Sequence, residues 1–264
     1  MDSKDKAFVD RIKPIEFVDE NQNNNKILIF SDIHANIQAY DLLIKYANEK
    51  NIGKMICLGD IIGRRYPDIN NKLIDKLRKE KRIVAFCQGN WDFCVANDFN
   101  PEFMGESRKE EAKSKSEYLR KFISKDNLDW ISNLKPCGTY KDFSITHVPG
   151  FRGKSYNHKD YPKSNKTINN LIVDDLIVKN HINFYGHTHE QEVYEKRERK
   201  FKKLQFASIF LNDKYKYFIN PGSIGEKGEF GILDGRRFLS CNIYSIYRIN
   251  SLWHSNVIRS YKFI

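Results

Sequence analysis

The chain has no apolar stretch long enough to span a bilayer, and Met1 to Asp10 is charged where a secretory signal would be apolar. These absences argue against a membrane partner and lead us to expect a cytoplasmic protein. Cysteine is sparse and odd in number: Cys57, Cys87, Cys94, Cys137 and Cys241, with no CxxC pair. That usage fits a reducing compartment and argues against a zinc knuckle. Cys57 and Cys87 lie inside apolar runs, where small hydrophobes in buried strands are expected. There is no internal repeat of solenoid period. No recognised nucleic-acid module is present, nor do aromatics alternate with basic residues along one strand.

What is present points to a compact α/β protein. The 264 residues could fold as one large domain or two small ones, and nothing favours two. We therefore expect one domain over 1–264, with a core at about 26–234, a polar lead-in at 1–25 and C-terminal strands at 235–264. Lys and Arg total 45 against 34 Asp and Glu, a formal charge of +11. That balance suits anionic partners such as phosphate esters or nucleic acid. Mixed-sign runs such as 195–200 read equally well as solvated surface.

Lys26–Phe30 is a short apolar run of the kind that makes a fully buried strand. Helical spacing follows at Ile37, Tyr40, Leu43, Ile44 and Ala47, then a strand at 55–58. A helix carrying Ile69, Leu73, Ile74 and Leu77 leads to a strand at Ile83–Phe86. This is a parallel βαβ series between helix layers. Residues 108–134 read as helical, with Tyr118, Leu119, Phe122 and Ile123 on one apolar stripe and a second helix around Leu128, Trp130 and Ile131. The rest is β-rich, with strands expected at 143–146, 183–185, 204–211, 215–219, 230–233 and 238–246 and a helix at 169–177. The two halves could stack as sheets.

Open α/β sheets place their sites at the carboxyl ends of strands, and polar metal-ligand types fall there. Asp32 and His34 follow the first strand, Asp60 the second and Asn90 the third; His147 follows 143–146, and His187 with His189 follows 183–185. Spacing of i and i+2 in Asp32/His34 and His187/His189 directs both side chains to one side of an extended segment. Carboxylate, imidazole and amide oxygen without thiolate suit divalent ions such as manganese, iron or zinc.

Ser31-Asp32-Ile33-His34-Ala35-Asn36, Gly59-Asp60, Gly89-Asn90, Thr146-His147, Gly186-His187-Thr188-His189 and Asn220-Pro221-Gly222-Ser223 together resemble the ordered motifs of the calcineurin-like metallophosphoesterases. The resemblance runs from about Lys26 to about Asp234. It implies an α/β fold, a two-sheet β-sandwich flanked by helices in four αββα layers. It further implies two divalent ions, manganese or iron with zinc as the third choice: Asp32, His34 and His189 bind one, Asn90, His147 and His187 the other, and Asp60 bridges both. The implied reaction is attack on a phosphate ester by a hydroxide bridging the ions, with Asp60, Asn90 and His147 at the catalytic centre. Gly59, Gly89, Gly186 and Gly222 sit where a strand must turn sharply, and the 221–223 turn reads as support for the His187 and His189 loop.

The chain departs from the family pattern at Trp91, and again at Arg65 and Tyr66, where small residues are common. Where many members have a histidine after the Gly-Asn asparagine, thought to protonate the leaving group, Trp91 stands here, followed by Asp92. An indole cannot serve as an acid near neutral pH, so a bias toward good leaving groups, and toward diesters over monoesters, is expected. Trp91 itself reads either as a stacking platform or, the favoured reading, as a core anchor; Asp92 reads as a loop-holding hydrogen-bond acceptor. Arg64 resembles the phosphate-binding arginine of the phosphoprotein phosphatase branch, although the adjacent Arg65 leaves open which arginine points inward. His158, in the basic loop 150–162, is the spare histidine near the site. Two other functions compete: a nucleotide or nucleic-acid phosphodiesterase, drawing on the charge, and a weakly catalytic scaffold that retains the fold for protein-protein contact.

Overall fold

A computed structural model of the chain describes residues 15–17, 26–97, 109–147, 180–198, 200–205 and 207–247. The first half forms the expected series: β2 (Lys26–Phe30), α1 (Ile37–Glu49), β3 (Lys54–Cys57), α2 (Ile69–Lys79) and β4 (Ile83–Phe86). The strands pair in parallel, β2 with β3 and β3 with β4. Their continuous apolar character has a direct cause. Ile27 and Ile29 of β2 and Ile56 of β3 face a second sheet, packing with Phe143, Phe184 and Ile219. Leu28, Phe30, Met55 and Cys57, one residue out of phase, pack on Tyr40, Leu43, Leu73 and Leu77 of the helices. Both strand faces are dry, so neither could be polar.

Two sheets result. Six strands lie in the order β10-β13-β12-β2-β3-β4 and seven in the order β1-β5-β6-β7-β11-β8-β9. The second sheet holds β1 (Ile15–Phe17), β5 (Cys137–Tyr140), β6 (Phe143–Thr146), β7 (Ile182–Phe184), β8 (Gln191–Arg197), β9 (Lys200–Leu204) and β11 (Lys216–Pro221). The first is completed by β10 (Ser208–Phe210), β12 (Glu229–Asp234) and β13 (Arg237–Asn242). The architecture is the expected two-sheet sandwich flanked by helices, of which α1 and α2 cover the six-stranded sheet.

Several expectations are corrected. The sheets do not divide between the chain's halves, because β12 returns to pair antiparallel with β2. Within the polar lead-in, Ile15–Phe17 forms a strand parallel to β5. The strand expected at 204–211 is two strands, β9 and β10, in different sheets. The strand expected over 238–246 ends at Asn242, whose side chain caps a short helix, α7 (Ile243–Ile246), by accepting from Tyr244 and Ser245 N–H. The helix expected at 169–177 and the chain beyond 247 lie outside the described residues.

Between β4 and β5 in the chain come α3 (Asn90–Ala96), α4 (Lys109–Arg120) and α5 (Lys125–Asn133), whose Val95, Leu119, Ile123 and Ile131 join the core on the helix side of the six-stranded sheet. Leu119 and Ile123 are buried as the apolar stripe predicts, but Tyr118 is 52% exposed. The remaining short helix, α6 (Ile224–Lys227), follows β11 directly.

Candidate metal centre

The carboxyl ends of β2, β3 and β4 in one sheet and of β6 and β7 in the other open at the same end of the sandwich. Their loops lock together by backbone hydrogen bonds: Asp32 N–H to Gly59 O at 2.9 Å, His34 N–H to Asp60 O at 3.0 Å and Ala35 N–H to Ile61 O at 3.0 Å. From the other sheet, Gly186 N–H donates to His147 O at 2.9 Å.

The seven sequence-predicted residues converge there, but not by strand alternation. Asp32, His34, Asp60, His187 and His189 all have left-handed backbone, with φ of 55°, 47°, 50°, 70° and 57°. The i, i+2 pairs therefore reach one site through tight turns rather than along an extended segment. Left-handed backbone costs a non-glycine residue about 1–2 kcal/mol, and its concentration here is backbone strain at a functional site. The turns are crowded. A Cβ on Gly89 would stand 2.1 Å from both the backbone nitrogen and Oδ1 of Asp60, and Gly59 combines φ of +99° with a Cβ position 2.6 Å from Gly89 N.

Each carboxylate has one oxygen held by the backbone and one aimed inward. Trp91 N–H donates to Asp60 Oδ1 at 2.9 Å, and His187 N–H donates to Asp32 Oδ2 at 3.0 Å. Asp60 Oδ2 then stands 3.4 Å from His147 Nε2 and 3.7 Å from His34 Nε2. Asp32 Oδ1 lies 3.1 Å from His189 Nε2, yet this fully buried oxygen has no aligned hydrogen-bond donor. The histidines are oriented from behind. Nδ1 of His34 and of His147 face the carbonyls of Ile62 at 3.2 Å and Leu58 at 2.8 Å, which leaves their Nε2 lone pairs inward. His189 Nδ1 lies 2.9 Å from Glu226 Oε2.

Two groups of donors follow. One is Asp32, His34 and His189; the other is Asp60, His147 and His187, joined by Asn90 Oδ1 at 3.1 Å from His147 Nε2 and 2.9 Å from His187 Nδ1. Nε2 of His34 and of His189 are 3.1 Å apart. Donors about 2.1 Å from one ion sit about 3.0 to 3.4 Å from each other, so these separations are those of a ligand cage. The orphaned Asp32 oxygen and the oxygen and nitrogen donor set fit divalent cations.

Electrostatics tells the same story. Burial opposes charge on His147, but Asp60 and Asp32 outweigh it and raise its pKa to about 9. His189 likewise loses to burial and gains more from Asp32 and Glu226, reaching about 9. His187, desolvated and beside His147, falls to about 4. Burial raises Asp60, but His147 and His34 hold it below the usual carboxylate range, and Asp32 is depressed in the same way against its own burial. Two buried carboxylates thus draw positive charge to where cations belong.

Other residues take definite places. Asp92 is the loop holder expected of it: Oδ1 accepts from Ile61 and Ile62 N–H, each at 2.9 Å, and Oδ2 from Gly89 N–H at 3.0 Å, capping α3. Burial and Asp60 raise its pKa to about 6. Asn220 Nδ2 donates to Gly186 O at 2.9 Å and to Thr188 Oγ1 at 2.8 Å, and Ser223 Oγ donates to Asp32 O at 2.9 Å, so the 220–223 turn does brace the ligand loops. Trp91 is no core anchor. Half-buried, it lines a cleft of about 880 Å³ over the cage, as do Arg64 and Arg65. His158 lies outside the described residues. Glu226 escaped the reading of the sequence; its signal was the Ser-x-x-Glu spacing from Ser223, whose hydroxyl accepts from Glu226 N–H at 3.0 Å.

A helix-flanked double sheet with a cage of oxygen and nitrogen donors at its strand ends defines a metallohydrolase. Residues 26–235 match the calcineurin-like phosphoesterase superfamily domain, and the chain belongs to that superfamily as a phosphoric ester hydrolase. It is 24% identical over 222 residues to an uncharacterised protein of Methanocaldococcus jannaschii, covering 80% of this chain and 84% of that one. Its fold is similar to that of a metallophosphoesterase from Sphaerobacter thermophilus, with a TM-score of 0.60, 18% identity and coverage of 87% of this chain and 96% of that one. A hypothetical protein from Pyrococcus horikoshii is similar at a TM-score of 0.55 and 15% identity, over 86% and 94% of the two chains.

Proposed function

We propose that the chain hydrolyses a phosphate ester, a diester in preference to a monoester, with two divalent ions, manganese or iron ahead of zinc. Asp32, His34 and His189 hold one ion, Asn90, His147 and His187 the other, and Asp60 stands between them. The observation that carries this reading is the buried Asp32 Oδ1, without an aligned donor, facing ring nitrogens at cage separations. Bound there, two ions supply Lewis acidity to the phosphoryl oxygens and ionise a water as nucleophile. The chain's own residues orient that pair, through the carbonyls behind His34 and His147 and the N–H groups behind Asp32 and Asp60. Trp91 offers no proton to the departing oxygen, which supports esters whose alcohol leaves unaided. Sparse cysteines without CxxC spacing support the cytoplasmic location.

A second reading, a nucleotide or nucleic-acid diester as substrate, is favoured by the cleft lining. Arg64, Arg65 and Lys115 supply cations there, and Tyr66, Trp91 and Tyr118 supply rings. Metal analysis of protein purified without chelator, followed by a panel of phosphomonoesters, linear diesters and cyclic nucleotides, tests both. We expect about two ions per chain, turnover of an activated aryl diester, and loss of both in Asp60→Ala. A loaded wild type inert on the whole panel would overturn the proposal.

A further inference from the structure

The loop that carries Arg64 is pinned in the steps just before it. Ile61 and Ile62 N–H are held by Asp92. Gly63 exchanges two hydrogen bonds with the fully buried Asn70 amide, N–H to Oδ1 and O from Nδ2, each at 2.9 Å. A Cβ on Gly63 would meet the His34 carbonyl oxygen at 2.0 Å, so the loop lies directly against the ligand turn. Arg64 is the first residue past this anchorage. Its guanidinium lies 4.7 Å from the centroid of the Trp91 ring. Trp91 is rooted in turn, since its N–H is the donor that fixes Asp60 Oδ1. Both side chains line the cleft together with Asn90, His34 and His187.

An exposed arginine ordinarily samples many rotamers and gives up that freedom when it takes an anion. A guanidinium already laid over an indole face gives up less, and its N–H edge can still be offered to phosphoryl oxygens. No such contact ties Arg65, its exposed neighbour, to a ring among the described residues.

We propose that Trp91 is a positioning residue whose indole holds the Arg64 guanidinium beside the metal cage as a clamp for the phosphoryl group. The clamp substitutes charge neutralisation for proton donation, and so selects esters of acidic alcohols. The inference rests on the phosphoesterase reading and deepens it: the ring at position 91 sets leaving-group preference by what it holds rather than by what it donates. Hydrolysis stays balanced with water as the only co-reactant. Water gives a proton to solvent as its oxygen bonds to phosphorus, the ester P–O bond breaks, and the alcohol departs as its anion and takes a proton from solvent.

The test compares manganese-loaded wild type with Trp91→Phe, Trp91→Ala, Trp91→His, Arg64→Ala and the Trp91→Ala/Arg64→Ala double variant. Inorganic phosphate affinity is read by calorimetry, metal content by elemental analysis, and kcat/KM across aryl diesters of graded leaving-group acidity. Loss of the stacked contact should weaken phosphate roughly 2- to 30-fold in Trp91→Ala, with Phe retaining most of the affinity. The double variant should be no weaker than Arg64→Ala, because one clamp has been removed twice. In Trp91→His the dependence on leaving-group acidity should flatten, as an acid now stands where none did. Unchanged phosphate affinity in Trp91→Ala, additive losses in the double variant, or a Phe variant that loses metal would each overturn the clamp. Phosphate affinity is measured without turnover, so a wild type that binds phosphate but hydrolyses nothing sinks the phosphoesterase reading alone. A wild type that binds no phosphate sinks the clamp as well.

Discussion

His147 and His189 carry protons in the metal-free site because Asp60, Asp32 and Glu226 outweigh the burial that opposes charge. Their folded pKa values of about 9 lie above the ordinary 6.5. The stability these protons contribute is therefore complete below pH 6.5 and is lost as pH rises through about 9. His187 runs the other way. Its pKa of about 4 means that the unfolded chain binds a proton first, so stability falls as pH drops from 6.5 toward 4. Chelator-treated protein should thus be most stable near pH 6.5 and lose on the order of a few kcal/mol by pH 9. Metal binding needs neutral imidazoles, so manganese affinity should rise across the same window as those two protons are displaced. Urea midpoints and manganese titrations at pH 6.5, 7.5, 8.5 and 9.5 would show it. Metal-free stability that stays level over that range would contradict the proton assignment.

Among the elements, the turn from β11 into α6 does the most for the site. Ser223 Oγ both donates to Asp32 O and accepts from Glu226 N–H, while Ile224 and Gly225 N–H donate to Ser31 and Asp32 carbonyls at 3.1 Å each. One short segment of the seven-stranded sheet thereby fixes the ligand turn of the six-stranded sheet. Ser223→Ala removes the cap and one of the two donors to the Asp32 carbonyl, which should cost about 1–2 kcal/mol and lower Tm by roughly 2–8 °C. Manganese affinity should fall several-fold while kcat at saturating metal survives. An unshifted Tm, or turnover that saturating metal does not restore, would show that the turn has another role. The Asn-Pro-Gly-Ser run announced this turn, just as the apolar runs announced β2, β3 and β4: fully buried strands cannot hide their composition. The left-handed ligand turns were not legible, because the backbone of Asp32 and His34 is set by hydrogen bonds to Gly59 and Asp60, some 27 residues away in the chain and invisible to local periodicity. Nor was the return of β12 to β2, since a hydrophobic run does not name its partner. Tyr118 sits at helical spacing with buried neighbours and still faces the cleft, because α4 has a second boundary there.

At the scale of the molecule the question is what the +11 charge does. The cage pairs its own charges: Asp32 and Asp60 answer the histidines or the ions. Much of the rest is spent locally, as in Lys203 with Glu192 and Arg197 with Glu195 at the β8–β9 hairpin. The cleft lining carries Arg64, Arg65 and Lys115, while its acidic members, Asp60 and Glu226, belong to the cage, Glu226 being engaged by His189. Low-dielectric walls focus such a field on an incoming anion. A substrate carrying only the scissile phosphate meets one of these cations at a time, whereas a strand of several phosphates meets all three. If a nucleic-acid diester is the substrate, log affinity for a single-stranded oligonucleotide should fall with log salt at a slope near −2, about 0.7 for each phosphate contact. A small aryl diester should show a much shallower dependence on the same protein. Lys115→Glu should flatten the oligonucleotide slope while leaving hydrolysis of the aryl diester within about twofold, because Lys115 stands on α4 at the rim rather than on a ligand loop. Equal, shallow slopes for both ligands would remove the nucleic-acid reading and leave a small phosphodiester as the substrate.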